Sequence, residues 1–188
     1  YAFIAECNLG GEFMEEERLT RLRTIADYEW TRTLNDRIGI SFDEAKRKER
    51  TPAPTLPSVE KLLSDRPDHI VEHDVVVHSA DPDNRYGFEV DVPEHKYNLG
   101  EVYNLSITRG TLTAEERFKI NDHIVQTIVM LENLPFPQHL ERVPEIAGGH
   151  HEKMDGTGYP KGLKGDHMSP QAKIMAIADI YEALTAAD

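Results

Sequence analysis

The amino-acid sequence predicts a mainly α-helical protein with a small β-hairpin insertion. A capping box at Thr113-Ala114-Glu115-Glu116, in which a hydroxyl and a carboxylate each accept a backbone N–H, predicts a helix over about 114–134. Ser169 followed by Pro170 predicts the start of a last helix, because serine is a strong N-cap and proline suits the first helical position. Strand-like residues are confined to about 70–92.

The remaining elements follow from periodicity and from turn residues. Apolar side chains recur at nearly 3.6-residue spacing across 13–36, which predicts an amphipathic helix. The runs Val75-Val76-Val77 and Phe88-Glu89-Val90-Asp91-Val92 flank the turn-rich segment Ala80-Asp81-Pro82-Asp83-Asn84, a pattern typical of a hairpin. A short helix is expected over about 140–151, and a glycine-rich loop follows it.

Composition excludes two classes of protein. The formal net charge is −13, whereas a general nucleic-acid coat needs an excess of lysine and arginine to displace counterions. No stretch approaches the roughly 20 apolar residues of a membrane-spanning helix.

The single Cys7 excludes an internal disulfide and favours a cytoplasmic location. Because the chain starts without methionine and stops within a helical pattern, we expect it to be part of a longer protein.

Candidate metal ligands surround the glycine-rich loop, residues 150–165. His150 and His151 stand directly before its glycines, His123 lies in the preceding helix, and Asp179 lies in an otherwise apolar helical run. Imidazole and carboxylate are ligands that suit iron, manganese or zinc. The same residues also fit structural roles, since a lone histidine is often only hydrogen-bonded and Asp179 could hold an arginine or a helix terminus.

Two motifs carry a resemblance to a known family. The run His-His-Glu-Lys-Met-Asp-Gly-Thr-Gly-Tyr-Pro at 150–160 and the run Ala-Asp-Ile-Tyr-Glu-Ala-Leu-Thr at 178–185 resemble the HD-GYP family over about 105–188. This family is a branch of the all-helical HD metal-dependent phosphohydrolases, and many members hydrolyse the bacterial messenger cyclic di-GMP. The resemblance implies an HD-domain-like helical bundle that serves in signal transduction.

The resemblance also implies a set of site residues and a cofactor. A divalent transition metal (iron, manganese, zinc or nickel) is expected as one or two ions, with a metal-activated water and no assigned catalytic side chain. Three lysines against two carboxylates give the loop a formal charge of +1, which suits an anion. The implied metal ligands are His123, His150, His151 and Asp179. The expected substrate-binding residues are Lys153, Asp155, Gly158, Tyr159, Pro160 and Lys161.

The chain departs from the family pattern upstream. The family's His-Asp and Gly-Lys motif is replaced by Ala5-Glu6-Cys7-Asn8-Leu9-Gly10-Gly11, with Cys7 and Asn8 at the His-Asp positions and Gly11 at the lysine. In the family, the Asp of this motif bridges two metal ions. If it is lost here, Glu152, Glu12 or another carboxylate would have to replace it. We interpret His73-Asp74 as a coincidental dipeptide.

This alignment predicts a divided HD-like core. Residues 1–12 would begin the core as a fragment, residues 13–100 would be an insertion with a helix and the hairpin, and residues 101–188 would carry the metal and Gly-Tyr-Pro motifs.

Three functions stay open at this stage. The first is a phosphodiesterase that acts on cyclic di-GMP or a related nucleotide or phosphodiester. The second is a catalytically degenerate module that binds metal, nucleotide or a signalling partner, the partner through the Gly-Tyr-Pro loop. The third is a helical connector with no ligand. A homodimer is the assembly expected from base rates, and no long nucleic acid is expected as a partner.

Overall fold

The computed structural model describes residues 1–74, 77 and 83–186. Within them, helices dominate and β-structure is limited to two small antiparallel sheets of two strands each. The predicted fold class, mainly α with a small hairpin, is confirmed. The α-helices are α1 (Ala2–Leu9), α2 (Glu16–Ala26), α3 (Phe42–Lys48), α4 (Glu101–Leu105), α5 (Ala114–Glu132), α6 (Val143–Gly148) and α7 (Pro170–Thr185). The strands are β1 (Glu29–Arg32), β2 (Ser58–Lys61), β3 (Ile70–Val71) and β4 (Tyr97–Asn98).

Helices α5 and α7 begin where the sequence predicts. The Thr113 N–H donates to Glu116 Oε2 at 2.9 Å, and the Glu116 N–H donates to Thr113 Oγ1 at 3.2 Å, which is the predicted capping box. The Ser169 hydroxyl accepts the Ala172 N–H at 3.3 Å. These caps fix the first turns of the two helices that carry His123 and Asp179.

The helix predicted over 13–36 is shorter than its apolar period suggests. Helix α2 ends at Ala26, and strand β1 follows and pairs with β2, with Trp30 opposite Glu60. Arg32 is buried at the end of β1 and donates to Glu60 Oε1 from Nε at 2.8 Å and from Nη2 at 2.6 Å. Strand pairing and this charge-assisted bond therefore override the helical period at Trp30.

The predicted hairpin falls partly outside the described residues. Val75, Val76 and the residues 80–82 of its turn are among those that the structure does not describe. The second run, 88–92, is described and lies outside every assigned strand, and its Phe88 is buried in an apolar cluster. The nearest strand pair is β3 with β4, where Val71 lies opposite Tyr97.

The chain divides into two compact units, each with its own core. The first unit comprises Tyr1–Asp74 and Pro93–Glu116, and the second comprises Val75–Val92 and Arg117–Asp188. The core of the first unit contains Phe3, Cys7, Leu22 and Leu105. The core of the second unit contains Phe88, Ile124, Val125 and Ile128, with Tyr86, Val90, Val129 and Tyr159 packed against it.

The first unit also holds a buried charge network. The Lys48 side chain is 8% exposed, and its Nζ lies 3.1 Å from Asp36 Oδ2 and 3.4 Å from Asp68 Oδ2. Burial raises the pKa of Asp68, but the charges of Arg66 and Lys48 outweigh it and hold that pKa below its ordinary value. No helix in the described part of the chain is long and apolar enough to cross a membrane.

Candidate metal centre

Three histidines of the second unit meet at one point. His123, His150 and His151, here called the histidine cluster, each offer a ring nitrogen, and these nitrogens lie within 4.8 Å of one another. His123 Nε2 and His151 Nε2 are 3.1 Å apart. Among the described residues, no other group of three or more His, Cys, Asp or Glu side chains meets this geometry.

Backbone carbonyls orient two of the three imidazoles. His123 Nδ1 lies 2.5 Å from the carbonyl oxygen of Ile120, one turn earlier in α5, and His150 Nδ1 lies 2.6 Å from that of Ala147 at the end of α6. A carbonyl can only accept, so each Nδ1 carries a proton, and in the neutral imidazole the lone pair then lies on Nε2. Histidines that ligate metals are oriented in this way by a partner on the other ring nitrogen.

The donor set fits a divalent transition metal. Two nitrogens on one tetrahedral ion, each at roughly 2.0–2.1 Å, are about 3.3 Å apart, close to the 3.1 Å between His123 and His151. Burial lowers the pKa of His151, the neighbouring His150 and His123 lower it further, and Asp179 opposes them. His151 is therefore neutral at pH 7, which is the form that binds metals.

Asp179 lies near the cluster but outside it. Burial is the larger cause that raises the pKa of Tyr159, and the Asp179 carboxylate raises it further. The same carboxylate opposes the lowering of the His151 pKa. The residue is exposed on α7, whereas its apolar sequence context suggested burial. Ala172 is the only buried residue of α7, so Asp179 needs no buried partner to offset a cost of desolvation. The structure thus brings three of the four predicted ligands together and places the fourth beside them.

A buried glutamate shapes the glycine-rich loop. The Glu152 residue is 5% exposed, and its two carboxylate oxygens accept the backbone N–H groups of Lys161 at 2.7 Å and Leu163 at 2.8 Å. Such charge-assisted bonds are stronger than neutral ones. Glu152 is thereby committed to the loop backbone and is a poor substitute for a carboxylate that bridges two metals. Sequence reasoning missed this role.

Tyr159 is held against the histidine cluster by close backbone packing. A Cβ on Gly158 would lie 2.3 Å from the backbone nitrogen of Lys153, so only glycine permits this approach. The Tyr159 N–H donates to the His151 carbonyl oxygen at 3.2 Å. The Tyr159 and His151 rings stack with centroids 4.9 Å apart. The Gly-Tyr-Pro segment therefore forms one wall of the centre.

The other predicted substrate-binding residues have local partners, and their role stays a prediction. Lys153 is exposed. Asp155 Oδ1 accepts from the Thr157 N–H at 2.9 Å and from its hydroxyl at 2.7 Å, which closes a turn. Lys161 Nζ lies 5.8 Å from the centroid of the Phe88 ring. The Pro160 carbonyl accepts the Glu89 N–H at 2.7 Å.

The residues at the degenerate motif belong to the first unit. Cys7 is 5% exposed within the apolar core, while Asn8 and Glu12 are exposed. Gly11 forms an isolated bridge with Gly110. Position 7 is therefore a packing position.

The His73-Asp74 dipeptide is likewise engaged within the first unit. His73 Nε2 donates to the Pro93 carbonyl oxygen at 3.0 Å, and Asp74 accepts from Lys96 Nζ at 2.8 and 2.9 Å. The interpretation as a coincidental dipeptide agrees with these contacts.

Histidines that converge from α5 and from the turn after α6, beside a glycine-rich loop, define a helical metal-binding domain. The family model described as HD domain matches residues 57–188, and the chain belongs to this family. The resemblance to the HD-domain phosphohydrolases, predicted from the sequence, is confirmed. The match begins inside the predicted insertion 13–100, and the domain layout stays a prediction.

Curated bacterial relatives match parts of the chain. The chain is 41% identical over 110 residues to a 3'3'-cGAMP-specific phosphodiesterase of Vibrio cholerae, covering 54% of this chain and 25% of that protein. It is 40% identical over 82 residues to a cyclic di-GMP phosphodiesterase of the same organism, covering 42% and 17%. It is 39% identical over 77 residues to a cyclic di-GMP phosphodiesterase of Thermotoga maritima, covering 40% and 20%. These alignments span a quarter or less of each relative. No solved structure matches the chain.

Proposed function

We propose that the protein is a metal-dependent phosphodiesterase that opens a cyclic dinucleotide, cyclic di-GMP or 3'3'-cGAMP. The observation that carries the proposal is the histidine cluster, with its ring nitrogens within 4.8 Å of one another and two Nδ1 atoms occupied by backbone carbonyls. The names of the relatives support this substrate class.

The side chains of the second unit have distinct tasks in this proposal. A bound divalent ion would supply Lewis-acid stabilisation for the charge that develops on the phosphoryl oxygens. His123, His150 and His151 would hold that ion, and Asp179, which lies near them, would be a further ligand. Tyr159 covers His151 and limits the access of water, which strengthens electrostatic interactions at the centre.

Positive charge on the glycine-rich loop would receive the phosphodiester. Lys153 and Lys161 lie on this loop, in a chain whose formal net charge is −13. A local excess of positive charge draws a small anion towards a site even when the protein is acidic. Glu152 does not serve as a bridge between two metal ions in this proposal, because both of its carboxylate oxygens accept backbone N–H groups.

A second candidate is a module that binds a metal and a cyclic dinucleotide without turnover. The packing of Cys7 among Phe3, Leu22 and Leu105 favours it, because a thiol enclosed in that apolar core is not accessible to a metal ion. Two-metal chemistry needs two ions about 3.5–4 Å apart, and three histidines with one aspartate suffice for a single ion. A signalling partner at the Gly-Tyr-Pro segment belongs to this candidate.

Product analysis with reconstituted protein distinguishes the two candidates. The stripped protein is loaded with manganese, ferrous iron or nickel and incubated separately with cyclic di-GMP and with 3'3'-cGAMP, and linear dinucleotide is quantified by chromatography. We expect linear product with at least one metal. Binding in a calorimeter without linear product would favour the second candidate, and the absence of both binding and product would contradict both.

Histidine variants give the matched control. His123→Ala removes an exposed member of the cluster, and His139→Ala removes an exposed histidine of the same unit outside it. We expect His123→Ala to lose at least about 100-fold in turnover, in line with the loss of a ligand or of its support. His139→Ala should keep the rate of the unaltered protein. Equal rates in the two variants would contradict a role for the cluster.

A further inference from the structure

The segment 83–92, which the metal centre does not use, is fastened to the glycine-rich loop. The Glu89 N–H donates to the Pro160 carbonyl oxygen at 2.7 Å. Phe88 is 3% exposed in the core of the second unit, and Tyr159 packs against the same core. A Cβ on Gly162 would lie 2.9 Å from Glu89 Oε2. The segment therefore forms a wall next to the Gly-Tyr-Pro residues.

A closed turn fixes the tip of this wall. Asn84 has a φ of 29°, in the left-handed region that asparagine tolerates better than most residues. Its Nδ2 donates to the Phe88 carbonyl oxygen at 2.8 Å, and its Oδ1 accepts the Phe88 N–H at 2.8 Å. The Gly87 N–H donates to the Asn84 carbonyl oxygen at 2.9 Å. Arg85 and Tyr86 are thus presented by a turn whose two ends are tied together.

Aromatic rings and cations are layered along the wall. The Tyr86 ring stacks on the buried Phe88 ring, with centroids 5.3 Å apart and planes inclined by 22°. The exposed Arg85 places its guanidinium 4.5 Å from the centroid of the Tyr86 ring and also donates to the Tyr86 hydroxyl. Lys161 Nζ lies 5.8 Å from the Phe88 ring on the loop side. Because these contacts already restrict the Arg85 side chain, binding of a ligand by this arginine costs less conformational entropy.

This layering matches the chemistry of a guanine base. Guanine offers two acceptors, O6 and N7, that a guanidinium fork bonds in a bidentate manner, whereas adenine offers a donor in place of O6. Because Phe88 and Arg85 already lie against the Tyr86 ring, this ring serves to hold the guanidinium rather than to stack on a base. We propose that Arg85 and Tyr86 form the guanine-recognition pair of the nucleotide site, with Arg85 reading the base edge and Tyr86 acting as a positioning residue that holds the guanidinium in place. The proposal deepens the proposed function and rests on it.

Dissociation constants measured by calorimetry test the pair without requiring turnover. The probes are cyclic di-GMP, 3'3'-cGAMP and cyclic di-AMP, with metal-loaded protein. Arg85→Ala should weaken cyclic di-GMP by about tenfold or more and leave cyclic di-AMP within about twofold. Arg85→Lys should not restore the affinity, because an ammonium lacks the planar fork. Tyr86→Leu should also weaken cyclic di-GMP and spare cyclic di-AMP, because it removes the ring that holds the Arg85 guanidinium.

A matched arginine provides the control. Arg21 is exposed and lies 4.3 Å from the centroid of the Phe3 ring in the first unit, so Arg21→Ala removes a comparable cation from an aromatic face. It should leave all three affinities unchanged. Metal content and the midpoint of thermal unfolding, measured for each variant, separate recognition from misfolding.

The outcomes separate this inference from the function on which it rests. Equal weakening of all three nucleotides by Arg85→Ala would mean a phosphate contact and would overturn guanine recognition. Unchanged affinities in Arg85→Ala would overturn it as well. If the unaltered, metal-loaded protein binds none of the nucleotides, the proposed function fails and the inference falls with it.

Discussion

The phenol ring of Tyr159 lies nearly parallel to the imidazole of His151, with planes inclined by 16°. This contact links the Gly-Tyr-Pro segment to the histidine cluster. Burial raises the pKa of Tyr159, and the Asp179 carboxylate raises it further. Tyr159 is therefore a neutral cover over a neutral imidazole at pH 7.

Substitution of Tyr159 tests the importance of this cover. Tyr159→Phe keeps the stacked ring, whereas Tyr159→Leu removes it together with roughly 0.5–1.5 kcal/mol of ring–ring interaction. We expect metal affinity to stay within about twofold in the first variant and to fall by up to about tenfold in the second. Competition with a chromophoric chelator measures both. Identical affinities in the two variants would show that the stacked ring has no effect on metal binding.

Glu152 gives a second prediction, on stability. Glu152→Gln replaces one acceptor with an amide N–H₂ that faces a backbone N–H, which leaves a buried donor unsatisfied. The expected loss in the free energy of unfolding is about 1–3 kcal/mol. Urea denaturation followed by circular dichroism measures it. The exposed Glu141→Gln is the control and should change the free energy by less than about 0.5 kcal/mol. Equal stability of the two variants would contradict the proposed clamp.

Acid should destabilise the first unit through Asp68. The folded-state pKa of Asp68 lies below its ordinary value near 3.8, so its stabilisation is complete above that value and is lost as the pH falls through the folded-state pKa. We expect the free energy of unfolding to decline below about pH 4. Urea titrations between about pH 2.5 and 6, followed by the fluorescence of Trp30, measure this decline.

An asparagine variant isolates the contribution of this carboxylate. The Asp68 side chain is 5% exposed, and Asp68→Asn leaves the buried Lys48 with one fewer carboxylate. The expected cost at pH 7 is about 3 kcal/mol, with a flatter acid limb. Glu94→Gln, at an exposed position of the first unit outside every helix, should change the stability by less than about 0.5 kcal/mol and keep the acid limb. An acid limb that persists in Asp68→Asn would assign it to other groups.

Local interactions account for the parts of the fold that the sequence predicts well. The caps at Thr113 and Ser169 involve partners only three residues away, so short-range chemistry determines them. The pairing of β1 with β2 joins Trp30 to Glu60 across a segment that contains α3, and the apolar period at Trp30 fits a helix equally well. Long-range pairing therefore overrode the local preference for a helix at Trp30.

The candidate site shows the same division. The histidines at 123, 150 and 151 could be predicted because a resemblance supplied their roles, and the structure brings their ring nitrogens together. The clamp formed by Glu152 could not be predicted, because it bonds backbone groups nine and eleven residues later in the chain. Only the folded loop places those N–H groups around one carboxylate, and backbone donors leave no signature in a sequence.

Metal analysis of freshly purified protein tests the central claim most directly. We predict about one or more transition-metal ions per chain in the unaltered protein, a fall to less than about a tenth of that in the double variant His123→Ala/His150→Ala, and unchanged content in His139→Ala. Removal of the metal with a chelator should lower the free energy of unfolding, by about 4 kcal/mol when the metal had been present at 1,000 times its dissociation constant. An unaltered protein that contains no metal after expression in supplemented medium, and melts identically with and without chelator, would contradict the account.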